Sequence, residues 1–485
     1  MELEPGAGPG SLTRPCSKCR ARETTLESRS HAVCKDCFMN FVATKCIKQI
    51  GLLGKETRPP PPASGGPPTE TRRYLLGLSL GVSSTVLLHL LNENIEFQLA
   101  KGRNAPFELV VIHVDTSLFL PDQNGQSRLA PALDAYRQRY PRFTFHCIPL
   151  SSTLDLSSTN PDDIDWSSLP FRSPFSQRQG SSDSEPSPPQ PSIDDTEKTL
   201  QTLLASLPSA ASRADIVRLL TRHALVSQAH QHGCQALLLG HSTTALAELT
   251  LAEAAKGRGF SLPWLVRDGP SPTDDDEDDD DFSSSIPDDH TATASVNPTS
   301  NHAGGGKDRG RRRRLLIYHP LRELQRRELA TYASLTEPAL TPLLGLASPS
   351  LDNSNSSNNR IVSHKDLSIE EVMARYFGEV EAEYPSVIAN VVRTAGKLVP
   401  REVTEHEGDN NDDDEDDYED DGETAGGEGS KKKRREGRCG LCRMPLDLAG
   451  DERWRGELGE KKEISLQGRK GRSRLCYGCE RSTAG

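Results

Sequence analysis

Eight of the eleven cysteines in this 485-residue chain stand in four Cys-x-x-Cys pairs, two pairs near each end. Cys16 and Cys19 precede Cys34 and Cys37, while Cys439 and Cys442 precede Cys476 and Cys479. A Cys-x-x-Cys turn presents two sulfurs from one knuckle, and zinc favours four thiolates in a tetrahedron. Each set therefore predicts one closed structural site of four thiolates. Redox-active thiol pairs, or an iron–sulfur cluster on the same thiolates, are the competing chemistries. His31 lies beside the first set and reads as a surface residue. Cys46, Cys147 and Cys234 remain; Cys147 falls on an expected core strand and Cys234 just before one, so they read as buried structural thiols, with sulfur carriage as the sharper alternative.

A second constellation lies between Tyr74 and Leu91, which read YLLGLSLGVSSTVLLHLL. An apolar strand passes through the turn Ser79–Ser84 into an apolar helix. Such a junction offers free backbone N–H groups to an anion, so Ser79, Gly81 and Ser84 are the candidate phosphate-binding residues. The turn lacks parts that this chemistry uses. Leu80 puts a branched side chain where close backbone approach favours glycine, and neither Lys nor Asp stands in the loop to meet phosphate or magnesium. Gly240–Glu248 is a second strand-end turn that could line a nucleotide pocket, although Glu248 reads equally well as a solvated helix residue. Lys256, Arg258 and the run Arg311–Arg314 are candidate contacts to RNA phosphates.

These turns need a scaffold, and the pattern supplies one. Strands are expected at Tyr74–Leu78, Glu108–Asp115, Phe143–Leu150, Gln235–Leu239 and Leu315–Tyr318. Helices are expected at Lys35–Ile50, Thr85–Leu99, Leu129–Tyr140, Glu197–Leu207, Ala210–His232 and Leu321–Ser334, with two more closing the region near Val399. Strands alternating with helices predict a parallel α/β sheet covered on both faces. Ligands in such sheets bind beyond the strands' carboxyl ends, which gathers Ser79–Ser84, Asp115 and Gly240–Ser242 on one edge. The expected organisation is a four-cysteine zinc-type module at 1–50, a Pro/Gly linker at 51–70 and the α/β domain at 71–400. Ser-, Pro- and Asp-rich inserts interrupt the domain at 151–195, 268–310 and 348–364. An acidic-then-basic linker at 401–436 precedes the second four-cysteine module at 437–485.

Only 34% of residues are hydrophobic, in keeping with those polar inserts. The net charge of −12 is dominated by two runs, eight acidic residues in Asp274–Asp281 and nine in Asp412–Asp421; the remainder is mildly basic. That balance permits a polyanionic partner such as RNA. The amino terminus has neither a basic nor an apolar signal region, and no segment approaches the roughly 18 apolar residues that span a bilayer. The expectation is a soluble cytoplasmic protein without membrane partners, in a reducing compartment where cysteines serve metals rather than disulfides. Lys431–Arg435 reads as a solvated linker or an import signal.

Several motifs occur in one order: CSKCRAR and CKDCF, LGLSLGVSSTVLLHLL, LLLGHSTTALAELTL, GRGFSLPW, HPLRELQRRELATYA, and the closing CGLCRMPLD and LCYGCE. Together they resemble the cytoplasmic tRNA 2-thiolation protein 2 family, the second subunit of the wobble-uridine thiolase. The resemblance covers nearly the whole chain. It implies a PP-loop fold of the adenine nucleotide alpha hydrolase type, whose superfamily motif SGGxDS holds pyrophosphate and magnesium. Ser79, Gly81 and Ser84 keep that motif, whereas Leu80 and Ser83 replace a glycine and the aspartate. The catalytic partner family carries an Asp-Asp pair after its Gly-His-Asn; Thr244 and Ala245 stand there in this chain. Both departures argue against ATP turnover.

By this resemblance the partner subunit adenylates C2 of the wobble uridine and accepts sulfur from a thiocarboxylated ubiquitin-related modifier. This chain would complete the heterodimer, help to hold tRNA and carry structural zinc. The implied product is 5-methoxycarbonylmethyl-2-thiouridine in tRNA Lys, Glu and Gln. Two other readings stand beside it: an active ATP-dependent tRNA sulfurtransferase that tolerates its altered loop, and a zinc-binding adaptor built on the Cys-x-x-Cys units.

Overall fold

The computed structural model describes residues 14–29, 31–58, 71–117, 119, 129–154, 164–166, 193–272, 314–347, 367–399, 438–446 and 474–484. Both acidic runs, Arg311–Arg313, Lys431–Arg435 and most of the three expected inserts lie outside those residues. The elements are, in order, β1 (Leu26–Ser28), β2 (His31–Val33), α1 (Lys35–Glu56), β3 (Arg73–Gly77), α2 (Val82–Ala100), β4 (Glu108–Asp115), α3 (Leu129–Arg139) and β5 (Thr144–Pro149). There follow α4 (Ile193–Ala205), α5 (Ala210–Gln231), β6 (Ala236–Leu239), α6 (Thr243–Ala255), α7 (Leu262–Val266), β7 (Gly269–Pro270) and β8 (Leu316–Tyr318). The last are α8 (Arg326–Leu335), α9 (Thr341–Ala347), α10 (Ile369–Glu383), α11 (Pro385–Ala395) and a C-terminal α12 (Tyr477–Ala484).

Strand alternation divides the core. Tyr74, Leu76, Leu109, Val111 and Leu238 face one cluster with α1, α2, α3 and α8. Leu75, Ile112, Val114, Leu237 and Ile317 face a second with α4 and α5. Apolar side chains on both faces suit parallel strands, which are buried on both sides. The sheet order is β5-β4-β3-β6-β8-β7, parallel throughout except for the antiparallel edge strand β7. The five parallel strands thus run 3-2-1-4-5 in chain order, the doubly wound arrangement with its switch point between β3 and β6. The turns after β3 and β6 meet at that switch point. α2 is buried almost all round from Ser84 to Asn92, as expected of a helix between the sheet and a further helical layer.

Local signals explain several element starts. Ser209 and Ser242 cap α5 and α6 through their side chains, and capping boxes start α8 (Gln325 with Glu328) and α10 (Ser368 with Glu371). The helix expected from Leu321 begins only at Arg326. Residues before it are held in a turn by Asp268, which accepts from the His319 backbone N–H at 2.8 Å and from Arg322 at 2.7 Å. Composition alone puts Asp268 in an insert, yet it fixes the end of β8. The first expected insert likewise has structured ends: Leu150 and Leu154 are buried on a 3-10 turn, and α4 starts at Ile193.

The two Cys-rich ends are not detached from the sheet. Cys16, Cys34, Phe38, Val42 and Cys46 belong to the first core, and Cys439, Leu441, Leu446, Cys476 and Cys479 to the second. A third cluster joins α6, α7, α10 and α11 with Met444. Cys46 and Cys234 are buried as expected, but Cys147 is exposed. It sits on β5, an edge strand of the sheet, on the same face as the buried Phe145 but exposed where no further strand covers the edge.

Candidate metal centres and the loop beyond the sheet

In each Cys set the four sulfurs lie within 4.8 Å of one another. The two sets are built alike. In the first, the Arg20 N–H closes a turn onto the Cys16 carbonyl at 2.9 Å, and Arg20 has a φ of 55°. In the second, the Arg443 N–H bonds the Cys439 carbonyl at 3.0 Å with a φ of 58°. The Cys34 N–H donates to the Cys16 sulfur at 3.3 Å, and the Cys476 N–H to the Cys439 sulfur at 3.3 Å. The sulfurs of Cys19 and Cys34 lie 3.9 Å apart, as do those of Cys442 and Cys476. In both sets the second pair opens a helix, α1 or α12. The chain therefore carries a structural repeat of which the sequence showed only the doubled cysteines.

Does this donor set fit a metal? A zinc–sulfur bond near ~2.3 Å implies sulfur–sulfur edges of about 3.8 Å in a tetrahedron, close to the observed separations. The proton chemistry agrees. Backbone N–H groups, that of Cys19 foremost, pull Cys16 down to about 6, while its bond to Cys34 pushes Cys37 up to about 12. At the other centre Cys439 is held well below the ordinary thiol range by its neighbours' S–H groups, Cys442 first. Bonding to Cys439 holds Cys442, Cys476 and Cys479 well above it. Without a cation only part of each set carries charge; a divalent ion lets all four sulfurs ionise.

A third group, Asp215, Glu253 and Glu370, also has oxygens within 4.8 Å of one another. Side-chain cations fill it instead. Lys256 lies 2.8 Å from Asp215 and 3.1 Å from Glu253, and also pairs with Glu370. Arg218 reaches Glu253 at 2.6 Å. Arg258, only 1% exposed, grips both oxygens of Asp215 at 2.5 and 2.6 Å and Glu253 at 2.9 Å. Its remaining nitrogen lies 3.8 Å from the sulfur of Cys479, and Ser482 of α12 donates to Asp215 at 2.7 Å. Burial opposes ionisation of Asp215, but Arg258, Arg218 and Lys256 hold its carboxyl well below the usual range. Lys256 and Arg258, expected to contact RNA, are thus internal: their helix-ending loop is buried under α12. A Cβ at Gly478 would come within 2.5 Å of Arg258, and one at Gly257, whose φ is 78°, within 2.4 Å of Tyr477.

The loop after β3 brings Ser79, Gly81 and Ser84 together and then spends their polar groups internally. The hydroxyls of Ser79 and Ser84 lie 3.0 Å apart, and Ser84 also donates to the Gly81 carbonyl at 3.1 Å. Leu80 has a φ of 62° yet is buried at 5% exposure. The left-handed region favours glycine and costs a branched residue roughly 1–2 kcal/mol, so the backbone keeps a glycine shape that the side chain does not. The turn after β6 packs directly on this loop, since a Cβ at Gly240 would lie 2.8 Å from Ser84 backbone atoms. Next to it the rings of His241 and His319 stand 5.2 Å apart, and burial pushes His241 down to about 3. Thr244 is wholly buried; it donates to Glu381 of α10 at 3.0 Å and accepts from the Arg326 N–H at 3.0 Å. Glu248 accepts from Arg326 at 2.6 Å rather than facing water, and Asp115 accepts from Ser117 at 2.6 Å.

A family-wide sequence model described as cytoplasmic tRNA 2-thiolation protein 2 matches residues 368–481. The protein of that name from Phaeosphaeria nodorum is 32% identical over 485 residues, covering 99% of this chain and 97% of its own length. That from Sclerotinia sclerotiorum is 33% identical over 398 residues, covering 82% and 85%. The chain belongs to the cytoplasmic tRNA 2-thiolation protein 2 family. The stretch matched by the family runs from the cap of α10 into α12, and so takes in Glu370, Glu381 and the whole C-terminal Cys centre. Among solved structures, U34-tRNA thiolase NcsA from Methanococcus maripaludis with its [4Fe-4S] cluster is similar at a TM-score of 0.42 and 14% identity, over 79% of this chain and 87% of that one.

For this family member, sequence reasoning found both Cys sets and the altered loop but missed Asp215, Glu253 and Glu370. The available signal was the charged pair Asp215 and Arg218 at i, i+3 on α5. The left-handed Leu80 yields a direct test. Glycine is ordinarily worse than alanine by roughly 0.5–1 kcal/mol. At this position Leu80→Gly and Leu80→Ala should both lose about 2–3 kcal/mol of burial, with the glycine variant more stable than the alanine variant by about 1 kcal/mol. Urea denaturation of the two variants measures it, and an alanine variant as stable or more so would contradict the strain.

Proposed function

We propose that this subunit of the cytoplasmic tRNA 2-thiolation machinery is the one that does not adenylate. It pairs with the catalytic thiolase, helps to hold tRNA and leaves ATP chemistry to the partner. The observation that carries this reading is the loop beyond β3. Leu80 fills the glycine position with buried bulk, the Ser79 and Ser84 hydroxyls are paired to one another, and Ser83 replaces the aspartate. Where the catalytic family has its Asp pair, Thr244 is bonded between α8 and α10 as a structural group.

Activating the C2 carbonyl oxygen of uridine with ATP and displacing AMP with sulfur needs acceptors for pyrophosphate and magnesium. In this reading the partner supplies them and receives sulfur from the thiocarboxylated ubiquitin-related modifier. The product is 2-thiolated wobble uridine in tRNA Lys, Glu and Gln, made in the cytoplasm. Among the described residues no helix is long and apolar enough to cross a membrane. Zinc is the favoured ion for both four-cysteine centres because their sulfur spacing suits one tetrahedral ion. In a four-iron cluster each thiolate would sit on its own iron, further from its neighbours.

Cells that lack this chain but keep the partner should lose wobble 2-thiouridine, measured by mass spectrometry of digested tRNA; normal thiolation would end the proposal. Restoration by a Gly81→Ala variant is expected if the loop no longer handles nucleotide, and a catalytic loop would not tolerate it. The purified chain alone should form no AMP from ATP and tRNA under conditions where the heterodimer does. Elemental analysis should find about two zinc ions per chain; iron in their place would refute the zinc assignment.

A further inference from the structure

The two four-cysteine centres share one geometry but not one environment. In the first knuckle Ser17, Lys18, Cys19 and Arg20 are all exposed. At the matching places of the second, Gly440 and Leu441 are buried, and Cys442 and Arg443 are half-buried. The second knuckle is covered on several sides. Its Gly440 carbonyl accepts from the Asp165 N–H at 2.8 Å, Leu441 and Cys479 belong to the second core, and Arg258 approaches the Cys479 sulfur at 3.8 Å. Because thiolate reactivity follows access and nearby positive charge, Cys19, flanked by Lys18 and Arg20, is the sulfur that a reagent in solution meets first.

The first centre also holds something. Its knuckle is tied to the hairpin β1–β2, since the Ser17 N–H bonds the Ala32 carbonyl at 2.9 Å and the Thr25 N–H bonds the Val33 carbonyl at 3.2 Å. Arg29, directly after β1, reaches from that hairpin to α8. Its guanidinium donates to both oxygens of Glu328, at 2.7 and 2.9 Å, and to the Glu323 carbonyl at 2.6 Å. Glu328 is only 7% exposed and is the capping glutamate of α8, accepting from the Gln325 N–H at 2.8 Å. The next two N–H groups of that first turn, of Arg326 and Arg327, bond Thr244 and Glu381 at 3.0 and 2.8 Å. A hairpin ordered by the first centre therefore supplies the counter-charge of a buried cap beside the sheet's ligand edge. Removing one member of such a pair leaves the other buried and uncompensated, which loosens the turn built on it.

We propose that the N-terminal centre is an oxidant-sensitive latch: a peroxide oxidises its exposed cysteine, the centre loses its ion, and Arg29 releases the cap of α8, while the C-terminal centre stays intact. The inference rests on the reading above that both centres hold zinc. The Cys19 thiolate attacks the O–O bond of hydrogen peroxide, forming a sulfenic acid and releasing hydroxide. A second thiolate, that of Cys34 with its sulfur 3.9 Å away, displaces another hydroxide from that sulfur and forms a disulfide. The two sulfurs give up two electrons in all, and two protons from solvent convert both hydroxides to water. Two thiolates fewer cannot retain the ion, because its ligands must be ionised.

The test treats the full-length, zinc-loaded chain with graded hydrogen peroxide. Zinc release is followed with a chromogenic chelator, disulfides are mapped by mass spectrometry after alkylation, and the α8 cap is read by amide hydrogen exchange. One zinc ion per chain should leave about tenfold faster than the other, with disulfides first among Cys16, Cys19, Cys34 and Cys37. Exchange should rise in residues 26–33 and in the first turn of α8, and reductant with added zinc should reverse it. Arg29→Met should raise exchange at the start of α8 before any peroxide is added, with both zinc ions still bound. Peroxide should then release the first ion from this variant with no further change in α8. Release from both centres at one rate, or from the C-terminal centre first, would overturn the latch and leave the zinc assignment standing, as would an α8 cap equally protected after the first centre is oxidised. A chain that binds no zinc would instead refute the zinc assignment itself, and the latch with it.

Discussion

Arg258 is the residue on which the arrangement of this molecule turns. A fully buried guanidinium cannot stand alone in a protein interior, and its partners come from three different elements: Asp215 on α5, Glu253 on α6 and Cys479 in the C-terminal centre. Satisfying one side chain therefore fixes three segments against each other. Lys256, Arg218 and Glu370 complete the set, so that three cations meet three carboxylates in one place. A centre of four thiolates that holds a divalent ion carries net negative charge, and Arg258 is placed to balance it. The C-terminal Cys unit is in consequence part of the wall of the α/β domain.

The same molecule preserves the shape of a nucleotide site at the switch point of its sheet. Strand order, the meeting of the β3 and β6 turns and the left-handed residue at position 80 are all in place. In the proposed reading, the chemistry has been replaced piece by piece. Leucine occupies the glycine conformation, serines bond one another, and a threonine that ties α8 to α10 stands in for an acid. Such substitutions convert ligand-facing groups into structural ones without disturbing the backbone. A subunit that needs the fold for assembly and the partner for catalysis would accumulate changes of this kind.

Much of this was legible in the sequence because it is local. Apolar strands such as Leu75 and Leu76 and Cys-x-x-Cys turns announce themselves within a few residues. The altered loop was visible as Leu80 and Ser83, although the positive φ of Leu80 was not, since nothing in a leucine signals left-handed backbone. Arg258 misleads for a physical reason. A basic residue near an acidic run looks solvated, and its partners lie 43, 5 and 221 positions away. Asp268 is lost to the insert for the same cause: composition marks where a polar segment begins but not which of its residues the fold retains. Cys147 reads as core on any strand pattern, and only the strand's place at the edge of the sheet exposes it.

The claim that the C-terminal four-cysteine centre is built into the α/β domain is tested most directly by amide hydrogen exchange on the full chain with and without Cys479→Ser. Removing that thiol should raise exchange in α5 and α6, where Asp215 and Glu253 lose the ordered Arg258, as well as in residues 438–446 and 474–484. A rise confined to 438–446 and 474–484, with α5 and α6 as protected as in the wild type, would show an independent appended module and contradict the account.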